Sequence, residues 1–152
     1  MQEKRTRPIQ VKRKWKSIAF INKNKVMKSF TDIEQSKKLA EILPIESADM
    51  WYWEFLTAPT YNDYSHPMFH KGEGVRNVPC WSLAALLEQL DDEITDEDGN
   101  DYNLTIVKEN LQYQLYYHDS LGEVEDIETD YYDDLVDACY EMIIQLNELN
   151  LL

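Results

Sequence analysis

The charges of this 152-residue chain divide almost at one point, and the division limits where a folded body can begin. Residues 1–38 carry 12 Lys and Arg against three acids, Glu3, Asp32 and Glu34, a net of +9. Residues 39–152 carry three bases, Lys71, Arg76 and Lys108, against 26 acids, a net of −23. A charge asymmetry of this size between the ends of a chain marks a separate basic arm and a separate acidic body. The charge and the apolar pattern both change near residue 30. Residues 1–16 lack an apolar period and read as disordered, with one weak strand candidate at Ser17–Ile21; the expected division is a basic, disordered arm over 1–26 and a single acidic domain over 27–152.

A domain of that length can bury about 68–70% of its unfolded surface and needs no disulfide or metal staple. Apolar residues make up 43% of the chain, with ten Tyr and four Trp, more than an unfolded polar chain carries. The two cysteines, Cys80 and Cys139, stand 59 apart and are expected to stay reduced, as in a cytoplasmic protein. The longest apolar stretch near the N-terminus is Ile18-Ala19-Phe20-Ile21, shorter than a signal peptide core. No segment has the ~20 apolar residues of a membrane span. The expectation is a cytoplasmic protein with no membrane partner. Carboxylates repel phosphate backbones, so nucleic acid is expected to be bound, if at all, only through the basic residues of 1–16.

Periodicity supplies the elements. Thr31-Asp32-Ile33-Glu34 fits a capping box with Thr31 as the cap, opening a helix that ends near Leu43 because Pro44 follows. Met50 to Leu56 is bulky and aromatic, which favours a strand with Trp51 and Trp53 on one face and Tyr52 on the other. Residues 57–79 hold three Pro and two Gly and read as a long irregular loop. Ser82 caps a helix in which Leu83, Leu86, Leu87 and Leu90 recur at helical spacing. Residues 91–101 read as an acidic turn. Segments 102–107 and 111–117 alternate like the strands of a hairpin, with Asn110 able to adopt positive φ. A weak edge segment over 123–127 and a final helix capped by Asp130, with Leu135 and Ile143 in its core face, complete the chain. The expected fold is α+β: a small antiparallel sheet of three to four strands with about three helices packed mainly on one face.

Several stretches match a pattern of residues seen together elsewhere. They are Ile33-Glu34-Gln35-Ser36-Lys37-Lys38-Leu39, Ser47-Ala48-Asp49-Met50, Pro79-Cys80-Trp81-Ser82-Leu83 with Leu86-Leu87-Glu88, and Ala138-Cys139-Tyr140-Glu141-Met142-Ile143. With these, residues 27–152 resemble a family of small uncharacterised proteins encoded in prophage-like and mobile-element regions of gut bacteria. Proteins of that kind often start near the position of Met27, which would make the basic arm an extension. The resemblance implies no activity, substrate or catalytic residue.

Motifs for chemistry are sparse. An EF-hand-type calcium loop around Gly99 lacks an acid at its first position, Ile94, and at its last, Thr105. His66 and His70 stand four apart, a spacing that serves one metal only on a helix. No GxSxG, phosphate-binding glycine loop or paired CxxC is present. No catalytic residue, metal or cofactor is assigned. The expectation is a non-enzymatic interaction module that binds an unidentified protein partner through the aromatic loop, at Tyr61, Tyr64, His66, Phe69 and His70. Two alternatives stand beside it. One is an acidic nucleic-acid mimic or inhibitor that binds a basic partner, since residues 91–137 hold 17 acids and one base, Lys108. The other is a metal-dependent hydrolase built around the two histidines.

Overall fold

A computed structural model describes residues 26–54 and 66–152. The basic arm, apart from Val26, and residues 55–65 lie outside the described residues. The protein is α+β, and the described residues form six strands and three helices. Helix α1 (Ile33–Leu39) and a single 3-10 turn at Ile45–Ser47 lead into β1 (Met50–Glu54). Strand β2 (Arg76–Cys80) pairs antiparallel with β1, Tyr52 opposite Val78. Helix α2 (Leu83–Leu87) follows. Strands β3 (Glu93–Thr95), β4 (Asp101–Glu109), β5 (Gln112–Asp119) and β6 (Ile127–Glu128) form a second antiparallel sheet in sequence order, and α3 (Leu135–Glu148) closes the chain.

Among the described residues there are two sheets, where one was expected, and the helices are not clearly packed on one face. Helix α3 packs against β5 and α2, while α1 packs against β2. The second sheet arises because β2 lies at the end of the stretch read as a loop. Pro79 removes one backbone donor, but it stands opposite Trp51 in a two-stranded sheet, where an edge position tolerates it.

The main core joins α3 to the four-stranded sheet. Val136, Ala138, Cys139, Met142, Ile143 and Leu146 of α3 meet Leu115 and Tyr117 of β5, with Leu39, Trp81 and Leu86 beside them. Leu135 lies at the margin of this core, half-buried; its neighbour Val136 takes the interior position. The cap of α3 is Asp134, four residues later than expected, because Tyr132 still pairs with Tyr113 of β5 and holds the preceding backbone extended. A smaller cluster, Met50, Tyr52, Val78 and Cys80, lies under the two-stranded sheet with Phe30 and Ile33 against it.

The first helix is capped one residue later than the sequence suggests. Asp32 accepts from the backbone N–H groups of Glu34 and Gln35, and the Gln35 side chain accepts from the Asp32 N–H, completing the capping box. Thr31 is instead wholly buried. Its hydroxyl accepts from the Trp81 N–H at 3.1 Å and shares a 2.7 Å hydrogen bond with the Ser36 hydroxyl. Its carbonyl accepts from the Tyr52 hydroxyl at 2.7 Å. One residue thus ties the entering chain to α1, β1 and the segment after β2. Lys28 is a second tie: its backbone N–H donates to Asp134, and its ammonium to Asp32 and Asp137. Burial alone would lower the Lys28 pKa; the bonds to Asp137 and Asp32 reverse this and raise it.

Candidate interaction surface

Alternation along β1 turns Tyr52 into the small cluster and leaves Trp51 and Trp53 on the outer face, as their spacing predicts. That face is extended on the free side of β1. Trp51 and Met68 exchange backbone hydrogen bonds of 2.7 and 2.8 Å, which fixes the stretch around Met68 as a short third rung beside β1. The indole N–H of Trp53 donates to the His70 carbonyl at 3.0 Å, and the His70 ring stands edge-on to Trp53 with centroids 5.2 Å apart. The Lys71 ammonium lies 4.2 Å from the centre of the Trp51 ring, inside the range of a cation–π contact.

The turn that follows is held as firmly. Asn77, opposite Trp53 on β2, accepts from the Gly72 N–H and donates to the carbonyls of Gly72 and Val75. Gly72 has no room for a side chain: a Cβ there would lie 2.5 Å from Val75 and 2.9 Å from the Trp53 ring. These constraints keep the two indoles in place without burying them. Phe69, between Met68 and His70, is 80% exposed, and Met68 is also exposed.

Of the five residues expected to bind a partner, Phe69 and His70 belong to this surface. His66 is exposed beside it, and Tyr61 and Tyr64 lie outside the described residues. Residues 66–70 form a bend and a bridge, not a helix, so His66 and His70 do not share a helix face as a two-histidine metal site at that spacing requires. Among the described residues no group of three or more His, Cys, Asp or Glu is arranged to hold a metal ion. Met68 and Lys71 were missed by sequence reasoning. Lys71 was marked only by being one of three bases in the acidic body.

The groups at the calcium-loop candidate and the two thiols are occupied or buried. Ile94 is buried and the Asp96 carboxylate is saturated: it accepts from the N–H groups of Asp98 and Asn100, the Asn100 side chain and the Tyr102 hydroxyl. Those bonds, the Asn100 amide first, hold its pKa below the usual carboxylate range and define a polar turn. Both thiols are free and buried, and burial pushes Cys139 up to about 12 and raises Cys80, so neither is a ready nucleophile.

Acids of 91–137 occur at both ends of the larger sheet. The Asp96–Asn100 turn and the Ser120–Asp126 connection lie together, since Tyr102 pairs with Asp119 where β4 begins and β5 ends. Asp133 lies at the other end, where its carboxylate accepts from Gln112. Asp134 is buried and Asp137 is engaged by Lys28 and Gln35. No helix among the described residues is long and apolar enough to cross a membrane. Comparison of the chain with protein-family models, with curated proteins and with solved structures gives no match in any of the three.

Proposed function

We propose that this protein is a non-enzymatic interaction module of a mobile element or prophage, and that a protein partner docks on the outer face of the β1–β2 sheet. The observation that carries the reading is the exposed Phe69 beside two indoles that are already fixed in place. Binding through pre-ordered aromatic side chains loses little conformational entropy, and such residues dominate interface energies. Lys71 adds a positive charge to that face, so the fitting partner offers an apolar pocket for Phe69 and an acceptor for Lys71. The mobile-element origin rests on the resemblance of residues 27–152.

The test is to compare partners captured by wild type, Phe69→Ser and Leu121→Ser. Leu121 is 79% exposed and lies in the Ser120–Asp126 connection, away from the aromatic face, which makes it a matched control. The proposal expects one stoichiometric partner to be lost with Phe69→Ser alone, with thermal stability unchanged. Equal capture by all three proteins overturns it. The nucleic-acid-mimic reading needs an extended acidic stripe; Glu97, Asp98, Asp101, Glu123, Glu125 and Asp126 are the exposed acids at one end of the larger sheet from which one would be built. Displacement of a basic partner by duplex DNA would support that reading, and by the same token would not depend on Phe69.

A further inference from the structure

The end of the larger sheet that carries the 96–98 turn also holds an apolar groove of about 340 Å³. Its apolar lining is Tyr102, Ile127, Leu149 and Leu151, and its acidic lining is Asp96, Glu97, Asp98 and Glu125, with no base among them. The wall formed by residues 149–151 is shaped by a hydrogen-bonded helix end. Asn150 takes positive φ (56°), the Asn150 N–H donates to the Asn147 carbonyl and the Leu151 N–H to the Leu146 carbonyl. That is the Schellman pattern that ends a helix and turns the next apolar residue back onto it. Leu149 nevertheless remains 52% exposed. The volume is at the low end for a ligand site and accommodates one or two large side chains.

We infer that this groove is a docking site for the chain's own basic arm, with residues 12–25 as the occupant. Two matches support the assignment. The first is charge and apolar pattern. Residues 1–25 carry nine bases against Glu3, and their apolar run Ile18-Ala19-Phe20-Ile21 is flanked by Lys12, Arg13, Lys14 and Lys16 on one side and Lys23 and Lys25 on the other. An apolar floor with a carboxylate rim is the complement of that pattern. The second is reach. Lys28 is fixed at the start of α3, on Asp134 and Asp137, and the groove lies at the end of that 14-residue helix, about 21 Å away at ~1.5 Å per residue. Ile18 to Ile21 precede Lys28 by seven to ten residues, an extended reach of about 23–36 Å. The run is long enough to arrive and short enough to stay at a high effective concentration. The bound arm would cover the acidic groove, so a basic partner for this end of the protein must displace it.

The experiment uses the full chain. Cys80 and Cys139 are buried, so a nitroxide on Ser17→Cys labels one site. The expected result is that the amide signals of Asp98, Tyr102, Glu125, Ile127 and Leu151 lose more than half their intensity. The Asn110–Leu111 turn at the far end of the sheet should keep its signal. The effect should vanish in 0.5 M salt and in the exposed-charge variant Glu97→Gln, Asp98→Asn, Glu125→Gln, whose signal dispersion reports that it is folded. Undiminished groove signals overturn the inference, as does equal broadening at 110–111. Broadening that appears when spin-labelled protein is mixed with isotope-labelled, unlabelled-cysteine protein assigns the occupant to a second copy and overturns the intramolecular form.

Discussion

Replacing Thr31 by valine keeps the shape of a wholly buried side chain and deletes only its hydroxyl. Two buried groups then lose a partner, the Trp81 N–H and the Ser36 hydroxyl. Each costs about 1–3 kcal/mol when left unsatisfied. The added methyl contact returns about 0.8 kcal/mol, so Thr31→Val should destabilise by about 1–5 kcal/mol. Thr31→Ser is the control: it keeps the hydroxyl, loses one methyl and should cost about 1 kcal/mol. At ~2–4 °C per kcal/mol for a chain of this size, the valine variant should melt about 2–20 °C below wild type and the serine variant about 2–4 °C below. Urea unfolding at constant m gives the free energies directly. A valine variant as stable as the serine variant would refute the role of Thr31 as the hub joining α1, β1 and the segment after β2.

Three further outcomes are expected. Ile143→Ala, at a fully buried site, should cost about 2–5 kcal/mol in urea unfolding, and Leu135→Ala, at a half-buried one, clearly less. Asn110 and Leu111 both have positive φ (51° and 66°) in the two-residue β4–β5 turn; a type I′ turn favours glycine at the second position. Leu111→Gly should therefore stabilise by up to about 1 kcal/mol, a rise in urea midpoint that a correct turn assignment requires. The N–H groups of Leu121 and Val124, with Glu123, hold the buried Asp119 carboxyl below the usual range, against the opposing effect of burial. A depressed carboxylate stabilises above its unfolded value of about 3.9, and that contribution is lost as pH falls through the folded value. Asp119→Asn should thus be less stable than wild type at pH 7, with the gap closing below about pH 4.

What the sequence revealed followed from period. Helix α3 was legible because Ala138, Cys139, Met142, Ile143 and Leu146 repeat at helical spacing, and the β4–β5 hairpin because its residues alternate around Asn110. Ser82 was legible as a cap because its hydroxyl has one local use, accepting from Ala85. The misses arose where a long-range partner overrode a local preference. Thr31 is a capping residue type like Asp32, but Trp81 and Ser36 claim its hydroxyl. Strand β2 was hidden by Pro79 and the nearby glycines, and β3 by an acidic run in which Ile94 alone turns inward. The start of α3 moved because Tyr132 pairs with β5. At the candidate surface, alternation placed Trp51 and Trp53 on one face, yet the contacts of Lys71 and His70 with their rings are tertiary and leave no periodic trace.

The docking face can be tested by photocrosslinking. A photoreactive phenylalanine analogue placed at position 69, and in a separate protein at the equally exposed position 121, is irradiated in extract of the source cells. The account expects one discrete adduct from position 69, suppressed by excess unmodified protein, and none from position 121. No adduct at 69, or the same adduct from both positions, would contradict it.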